Sequence, residues 1–207
     1  MKIKKIFKNL NKNFSSINFN NLQFNSRKCK KNDIFFAIKG LKQNGNNYIK
    51  DAISRGAKTI ISNQKFEGFK DGVLFLHSEN PRKLLSDCAS KIYSKKPRNL
   101  IAVTGTNGKS SIANFYYQIL KLNNKKVASI GTLGVKSNKI NFNLLNTTID
   151  PLQLGQILKK LKDQRIDNVI MEASSHGLKQ NRLDGLKFSS GIFTNLSQDH
   201  LDYHKNL

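Results

Sequence analysis

The sequence predicts an α/β protein of two domains, because strand-like and helix-like segments alternate along it. Short runs rich in Ile, Val and Phe are separated by stretches whose apolar residues recur at helical spacing. The alternation breaks around Pro97 and starts again at Leu100. A chain of 207 residues is long enough for one or two domains. We therefore predict a small N-terminal α/β domain over residues 1–96 and a second α/β domain over residues 97–207.

The first domain contains three predicted strands and two predicted helices. The apolar run of residues 33–40 ends in a glycine, and residues 57–62 and 72–77 are further runs of strand-forming residues. Residues 47–56 and 80–95 place their apolar side chains on one face of a helix. This order of elements predicts a sheet flanked by helices.

The second domain begins with a strand that leads through a glycine-rich turn into a helix. A second strand, an irregular stretch, a helix and two more strands follow. Their alternation predicts a mostly parallel sheet with a site at the carboxyl ends of the strands. Such a sheet usually has more elements, so we expect this domain to be incomplete here. The predicted elements are residues 100–104, 109–122, 127–130, 151–162, 168–172 and 190–194.

The chain is strongly basic. Lysine and arginine outnumber aspartate and glutamate by 36 to 13, which gives a net charge of +23. Such a charge suits a nucleic-acid partner. However, 30 of the basic residues are lysine, and they are spread along the chain, whereas proteins that read base edges favour arginine. We therefore expect no nucleic-acid partner and keep a non-catalytic nucleotide- or RNA-binding module as an alternative.

Other features narrow the class of protein. No run approaches the roughly 18 apolar residues of a membrane-spanning helix, and the basic N-terminus lacks the apolar segment of a secretory signal. Cys29 and Cys88 lie far apart without CxxC spacing, which excludes a disulfide scaffold and a thiolate zinc site. We expect a cytoplasmic protein without a membrane partner.

A glycine-rich segment, Ala102-Val-Thr-Gly-Thr-Asn-Gly-Lys-Ser-Ser111, links the first strand of the second domain to its helix. Such a loop surrounds a polyphosphate with backbone N–H groups and the positive end of a helix. Lys109 would contact the β- and γ-phosphates, and the Ser110 hydroxyl would contact Mg²⁺. The spacing departs from GxxxxGK[ST], since Val103 stands where that pattern has its first glycine. The order of strand, loop, lysine and hydroxyl nevertheless predicts a P-loop-type phosphate site.

A second segment, Val169-Ile-Met-Glu-Ala-Ser-Ser-His176, is an apolar strand that ends in a carboxylate. Magnesium bound with a nucleotide takes one or two protein oxygens besides phosphate and water. Glu172 would suit that role. On these residues alone, a solvent-facing glutamate at a strand end is the alternative.

A third segment, Phe193-Thr-Asn-Leu-Ser-Gln-Asp-His-Leu-Asp-Tyr-His204, places two acids and two histidines after another strand. These side chains could ligate a metal or position a phosphate. They could equally form the start of a helix, with Ser197 or Asp199 as its N-cap. The spacing leaves both interpretations open.

Four segments taken together resemble the Mur ligases. They are Thr104-Gly-Thr-Asn-Gly-Lys-Ser-Ser111, Asn146-Thr-Thr148, Met171-Glu-Ala-Ser-Ser-His-Gly-Leu178 and Thr194-Asn-Leu-Ser-Gln-Asp-His-Leu-Asp-Tyr-His204. Folylpolyglutamate and cyanophycin synthetases share the glycine-rich loop, whereas Asn-Thr-Thr and Ser-Ser-His in this order are more selective. In the first domain, Asn25-Ser-Arg27, Asp33-Ile-Phe-Phe-Ala37 and Gly40-Leu-Lys-Gln-Asn-Gly45 also resemble the family's uridine-nucleotide domain.

The resemblance implies an enzyme of three domains that bind, in chain order, a UDP-sugar, ATP and an amino acid. Members of the family phosphorylate a substrate carboxylate with ATP, and an amine then attacks the acyl phosphate to form an amide. With ATP and Mg²⁺ as cofactors, this member would add meso-diaminopimelate or L-lysine to UDP-N-acetylmuramoyl-L-alanyl-D-glutamate in peptidoglycan synthesis. The alternative within the superfamily is a folylpolyglutamate- or cyanophycin-type ligase.

The resemblance also assigns roles to individual positions, with Lys109 neutralising the transferring phosphoryl group. The implied ATP-binding residues are Gly105, Thr106, Asn107, Gly108, Lys109, Ser110 and Ser111. The implied metal-binding residues are Ser110, Glu172 and His200. The implied UDP-sugar contacts are Phe24, Ser26, Leu41, Lys42 and Gln43. The implied contacts to the muramoyl-peptide are Asn146, Thr147, Thr148, Ser174, Gln180 and Arg182.

The sequence departs from the family at several points. Asn25 and Asn44 stand where aspartate is usual, and Ser110 is followed by serine where two threonines are common. Serine keeps the hydroxyl group, so the implied metal contact is retained. The family's carbamylated lysine would fall just beyond Leu207. The site for the amine would lie in the family's C-terminal domain, which is missing here, and we therefore expect the 207-residue chain alone to be inactive.

Overall fold

The computed structural model describes residues 1–7, 12–41 and 43–197. The chain divides into two compact units, Met1–Ile92 and Tyr93–Leu207. The boundary expected at residue 96 between two functional domains stays a prediction. Among the described residues, no helix is both long enough and apolar enough to cross a membrane.

The first unit is built on a five-stranded sheet. Its strands and helices are β1 (Leu22–Gln23), β2 (Ile34–Phe36), α1 (Ile49–Ser54), β3 (Thr59–Ser62), β4 (Gly68–Lys70), β5 (Val73–His77) and α2 (Pro81–Ile92). The strand order is β1-β2-β3-β5-β4, and every neighbouring pair is parallel except β4 with β5. The carboxyl ends of β1, β2, β3 and β5 therefore lie along one edge of this sheet.

Burial explains the sequence pattern of the central strands of this unit. Every residue of β2 and β3 is buried, as expected for parallel strands covered on both faces. The helix predicted over residues 47–56 begins later, at Ile49, because a 3-10 turn over Gly45–Tyr48 precedes it. The Asn44 side chain caps that turn by accepting a hydrogen bond from the backbone N–H of Asn46 at 3.1 Å.

The second unit is built on a six-stranded sheet. Its elements are β6 (Asn99–Thr104), α3 (Lys109–Leu122), β7 (Val127–Gly131), β8 (Gly134–Ser137), β9 (Asn141–Phe142), α4 (Pro151–Asp163), β10 (Asn168–Glu172), α5 (Ser175–Lys179) and β11 (Ser190–Phe193). The strand order is β11-β6-β10-β7-β8-β9. The first four strands of that order are parallel, and β8 and β9 are antiparallel. The predicted α/β class and the mostly parallel sheet are thus confirmed.

Helices cover both faces of this sheet. Val169 and Met171 of β10 belong to one apolar cluster with the buried face of α4. Ile170, the residue between them, packs instead with Val103 of β6 and Ala113 of α3. Because successive strand residues point to opposite faces, α3 and α4 lie on opposite sides of the sheet. The carboxyl ends of β6, β7, β10 and β11 are left accessible at one edge.

The sequence-based prediction was wrong for the stretch that follows β7 in the second unit. The stretch after residue 130 was expected to be irregular, but it forms β8 and β9, which extend the sheet by two short antiparallel strands. The strands have four and two residues. Strand β9 is too short to show a periodicity, and β8 reads Gly-Val-Lys-Ser, with valine as its one large apolar residue.

Candidate nucleotide and metal site

The glycine-rich loop after β6 adopts a conformation that requires glycine at its first position. Gly105 has φ +134°, and a Cβ atom there would lie 2.0 Å from the Thr194 hydroxyl oxygen. The loop therefore packs directly against the segment that follows β11. Neither the dihedral angle nor the space would accept a larger residue.

The segment after β11 fixes the shape of the loop. The Asn195 carbonyl accepts from the backbone N–H of Thr106 at 3.0 Å, and its side-chain oxygen accepts from the N–H of Asn107 at 3.0 Å. The Thr194 hydroxyl donates to the Asn107 carbonyl at 2.7 Å. Thr194 and Asn195 open the last of the four segments that resemble the Mur ligases, but the sequence predicted no role for them. Their function is to hold the loop in place.

The loop ends at the N-terminus of α3, which presents positive charge. The first backbone hydrogen bond of this helix runs from Ile112 to Gly108, so the N–H groups of the first turn have no acceptor within the helix. The Lys109 ammonium group lies over the same loop and donates to the carbonyls of Gly105 at 2.6 Å and Thr106 at 2.7 Å. Free N–H groups, a helix dipole and an ammonium group together favour a polyphosphate.

Glu172 ends β10 with its carboxylate turned into the protein. The residue is only 3% exposed. One carboxylate oxygen accepts from the Thr132 N–H at 2.9 Å, and the other accepts from the hydroxyls of Ser110 at 2.9 Å and Thr132 at 3.1 Å. A Cβ on Gly131 would lie 2.1 Å from the first oxygen, so that position must be glycine for the carboxylate to fit. The solvent-facing interpretation of Glu172 is therefore wrong.

The chemistry of these donors fits a magnesium ion that accompanies a nucleotide. Ser110 and Glu172 offer a hydroxyl and a carboxylate oxygen side by side, and both are hard ligands. Across the described residues, no group of three or more His, Cys, Asp or Glu side chains could hold a metal by itself. His200, the third predicted ligand, lies outside the described residues.

Residues predicted to contact the muramoyl-peptide meet beside Glu172. The buried Thr148 hydroxyl donates to the Glu172 carbonyl at 3.0 Å and accepts from Ser174, whose N–H lies at 2.9 Å and whose hydroxyl lies at 3.0 Å. Arg182 donates to the Thr148 carbonyl and, at 3.1 and 2.7 Å, to the side-chain oxygen of Gln180. The exposed Asn146 stands at the start of the same segment.

The predicted ATP residues and part of the predicted peptide set share one cavity of about 520 Å³. The whole loop from Gly105 to Ser111 lines it, together with Thr147, Glu172 and Ser174. Thr132 lines it as well and was not predicted, because it lies in the stretch that was taken to be irregular. Thr148 and Arg182 support this wall through hydrogen bonds.

The predicted UDP-sugar residues lie in the first unit. Phe24 follows β1 and is 42% exposed, and Leu41 is 80% exposed in a turn that a hydrogen bond from Gly40 to the Gln43 carbonyl closes at 2.8 Å. Both segments follow parallel strands at the same sheet edge. Lys42 lies outside the described residues.

Ser26 differs from the other predicted UDP-sugar residues because it is buried. Its hydroxyl forms a hydrogen bond with the Asp51 carboxylate. That bond, together with one from Arg55, holds the pKa of Asp51 below its ordinary value. In this structure the Ser26 side chain therefore ties the turn after β1 to α1.

Both halves of the chain match known protein domains. Residues 18–93 match the catalytic domain of the Mur ligase family, and residues 103–207 match the Mur ligase middle domain. The chain is 44% identical over 201 residues to the UDP-N-acetylmuramoyl-L-alanyl-D-glutamate--2,6-diaminopimelate ligase of Rickettsia conorii, with 95% of this chain and 41% of that protein covered. The ligase of the same name from Clostridium tetani is 40% identical over 214 residues, with 99% and 44% covered.

Solved structures agree with these matches. The structure of a UDP-N-acetylmuramoyl-L-alanyl-D-glutamate--2,6-diaminopimelate ligase superposes with a TM-score of 0.80 at 28% identity, covering 99% of this chain and 42% of that one. The MurF ligase from Thermotoga maritima in complex with ADP superposes with a TM-score of 0.55 at 21% identity, covering 90% and 40%, and shares the fold. The chain thus spans about two fifths of the length of the curated relatives named above.

Proposed function

The chain belongs to the Mur ligase family, and on that premise we propose that it acts in the ATP-dependent addition of diaminopimelate to UDP-N-acetylmuramoyl-L-alanyl-D-glutamate. The observation that carries the proposal is the cavity in which the glycine-rich loop, Ser110 and Glu172 face Thr147 and Ser174. A phosphate site would then lie beside a site for the acceptor carboxylate. The names of relatives that are 40–44% identical favour diaminopimelate over L-lysine as the amine.

The proposed reaction has two steps. A carboxylate oxygen of the peptide attacks the γ-phosphorus of ATP, the bond to the bridging oxygen breaks, and ADP leaves. The amine of diaminopimelate then attacks the acyl carbon, inorganic phosphate leaves, and the amine gives up a proton as the amide forms. Transfer of this kind depends mainly on alignment and on neutralising charge.

The loop residues would supply both effects. Backbone N–H groups at the start of α3 would donate hydrogen bonds to the phosphates, and Lys109 would exchange the carbonyls of Gly105 and Thr106 for phosphate oxygens. An ammonium–phosphate pair joins two opposite charges, whereas the contacts that it replaces join the ammonium group to uncharged carbonyls. Thr194 and Asn195 keep the loop in position throughout.

Ser110 and Glu172 would hold the magnesium ion, with His200 as a further predicted contact. The Ser110 hydroxyl can keep donating to Glu172 while its oxygen lone pairs face the ion. The bound metal would neutralise charge on the phosphates during transfer.

The remaining predicted residues would bind the UDP-linked substrate. The contacts to its peptide would come from Asn146, Thr147, Thr148, Ser174, Gln180 and Arg182. Arg182 also donates to the Thr148 carbonyl and to the side-chain oxygen of Gln180. In the first unit, Phe24 and the turn of Leu41 to Gln43 would contact the uridine nucleotide, because the ends of parallel strands are common ligand sites. We place the reaction in the cytoplasm, where ATP is available.

Binding measurements on the 207-residue chain test this proposal. Isothermal titration calorimetry with a non-hydrolysable ATP analogue and Mg²⁺, and separately with UDP-N-acetylmuramoyl-L-alanyl-D-glutamate, should show one site for each ligand. A folylpolyglutamate and a poly-amino acid serve as control ligands and should not bind. Binding of either control in place of the UDP-linked peptide would assign the chain to another ligase of the superfamily.

A further inference from the structure

Thr132 makes two contacts with the Glu172 carboxylate, one to each oxygen. It lies in the turn between β7 and β8, where its backbone N–H donates to one oxygen at 2.9 Å and its hydroxyl donates to the other at 3.1 Å. The hydroxyl lies also 2.9 Å from the hydroxyl of Thr147. Thr132 thus stands between the residue proposed to hold the metal and a residue proposed to contact the peptide.

The direction of these hydrogen bonds follows from their chemistry. A carboxylate can only accept hydrogen bonds, so Thr132 must donate its single hydroxyl hydrogen to Glu172. Thr147 is then the donor in the bond between the two hydroxyls. The result is a directed chain from Thr147 through Thr132 to Glu172.

A second connection joins the same segment to the backbone of Glu172. The Thr148 hydroxyl donates to the Glu172 carbonyl at 3.0 Å, and Arg182 donates to the Thr148 carbonyl. Neighbouring residues of one segment therefore hold Glu172 at its side chain and at its main chain. A shift of this segment would move the carboxylate.

We propose that Thr132 is a positioning residue that couples the segment of Asn146 to Thr148 to the Glu172 carboxylate, so that peptide binding and metal–nucleotide binding strengthen each other. The inference rests on the proposed function and adds a link between its two subsites. Groups that orient a metal-binding side chain typically change metal affinity by about 10–100-fold when they are removed. Coupling between two binding equilibria must also be reciprocal.

The test compares three variants of the full 207-residue chain. Thr132→Val removes the hydroxyl and keeps the shape and the backbone N–H, whereas Thr132→Ser keeps the hydroxyl. Ser137→Ala is the matched control, because it removes a buried hydroxyl that bonds within the turn after β8, to Ile140, rather than to Glu172. The readout is the Mg²⁺ concentration for half-maximal binding of a fluorescent ADP, measured with and without UDP-N-acetylmuramoyl-L-alanyl-D-glutamate, together with the melting temperature.

In the wild type, we expect the UDP-linked peptide to lower the Mg²⁺ midpoint. Thr132→Val should raise the Mg²⁺ midpoint by about 10-fold and remove the effect of the peptide on it. Thr132→Ser should keep both the Mg²⁺ midpoint and its response to the peptide as in the wild type. Ser137→Ala should lower the melting temperature and leave the midpoint and its response to the peptide as in the wild type. This pattern separates coupling from a structural role in the turn.

Two results would overturn the inference. If Thr132→Val keeps the wild-type midpoint and response to the peptide, Thr132 does not couple the subsites, and the proposed function stands without it. If the wild-type chain binds neither ADP nor the UDP-linked peptide, the proposed function fails, and the inference fails with it.

Discussion

At the residue scale, the proposed metal site depends on how Glu172 is held. Three donors from Ser110 and Thr132 fix its carboxylate, and Gly131 leaves the space that the carboxylate fills. A side chain locked in this way loses little conformational freedom when a cation binds. The same bonds place a carboxylate beside the hydroxyl of the glycine-rich loop.

Gly131→Ala tests the space beside Glu172. The new methyl group would meet the carboxylate oxygen at 2.1 Å and force it to move. We expect the Mg²⁺ midpoint for ADP binding to rise by at least about 10-fold. Gly191→Ala is the control, since a Cβ there meets nothing within 4 Å and should leave the midpoint unchanged. Equal midpoints for the two variants would show that the position of Glu172 is irrelevant to the metal.

Lys109→Ala tests the cation of the loop. A hydrogen bond between charged partners is worth about 2 kcal/mol, so ATP affinity should fall by about 30-fold. Lys121→Ala removes the same charge from the other end of α3, where the ammonium lies 5.8 Å from the centre of the Tyr117 ring, and should change ATP affinity little. Titration calorimetry measures the ATP affinity of both variants. If both lose similar affinity, Lys109 acts only through the net positive charge of the protein.

Sequence reasoning could propose Glu172 and Ser110 as metal-binding residues because each follows a strong local pattern, an apolar strand or a glycine-rich loop. It missed Thr132 and assigned no role to Thr194 or Asn195. These three residues act only through partners that are distant in the chain. The assignment of His200 stays a prediction, since it lies outside the described residues.

At the element scale, local sequence features define the start of α4, the helix that follows the segment of Asn146 to Thr148. Asp150 is its N-cap and accepts from the N–H groups of Leu152 and Gln153, both at 3.0 Å, and Pro151 opens the helix. Asp150 also follows the segment of Asn146 to Thr148 by two residues. A defined helix start therefore helps to define that segment.

Asp150→Ala should lower the free energy of unfolding by about 1 kcal/mol, because two N–H groups lose their acceptor. Asp163→Ala is the control at the other end of α4, where the carboxylate makes an exposed 3.5 Å ion pair with Lys95. The loss of that pair should change the stability by less than about 0.5 kcal/mol. Urea unfolding measures both, and a stability loss for Asp163→Ala as large as that for Asp150→Ala would contradict the role of the cap.

The elements that the sequence predicted well are those with long, clear patterns. The bounds of α3 and β10 agree with the prediction at both ends. Strands β1 and β9 have two residues each and were missed, because strands this short show no alternation. Helix α5 was also missed. Its N-cap is Ser174, whose hydroxyl oxygen accepts a hydrogen bond from the N–H of Gly177 at 3.1 Å.

At the scale of the whole molecule, the strand order brings the site together. Strand β6 lies between β11 and β10, so the ends of three strands that are far apart in the chain meet beside one loop. Local patterns predict a parallel sheet but not which strands are neighbours. The α/β class could therefore be predicted from the sequence, while the contact of Thr194 with the loop and of Thr132 with Glu172 could not.

The most direct test of the account is a crystal structure of the chain with Mg²⁺ and a non-hydrolysable ATP analogue. We predict that the phosphates lie against Gly105 to Ser111, that Lys109 leaves the carbonyls of Gly105 and Thr106 for phosphate oxygens, and that the metal lies at Ser110 and Glu172. A nucleotide bound elsewhere, or one bound while Lys109 still contacts those carbonyls, would contradict the account.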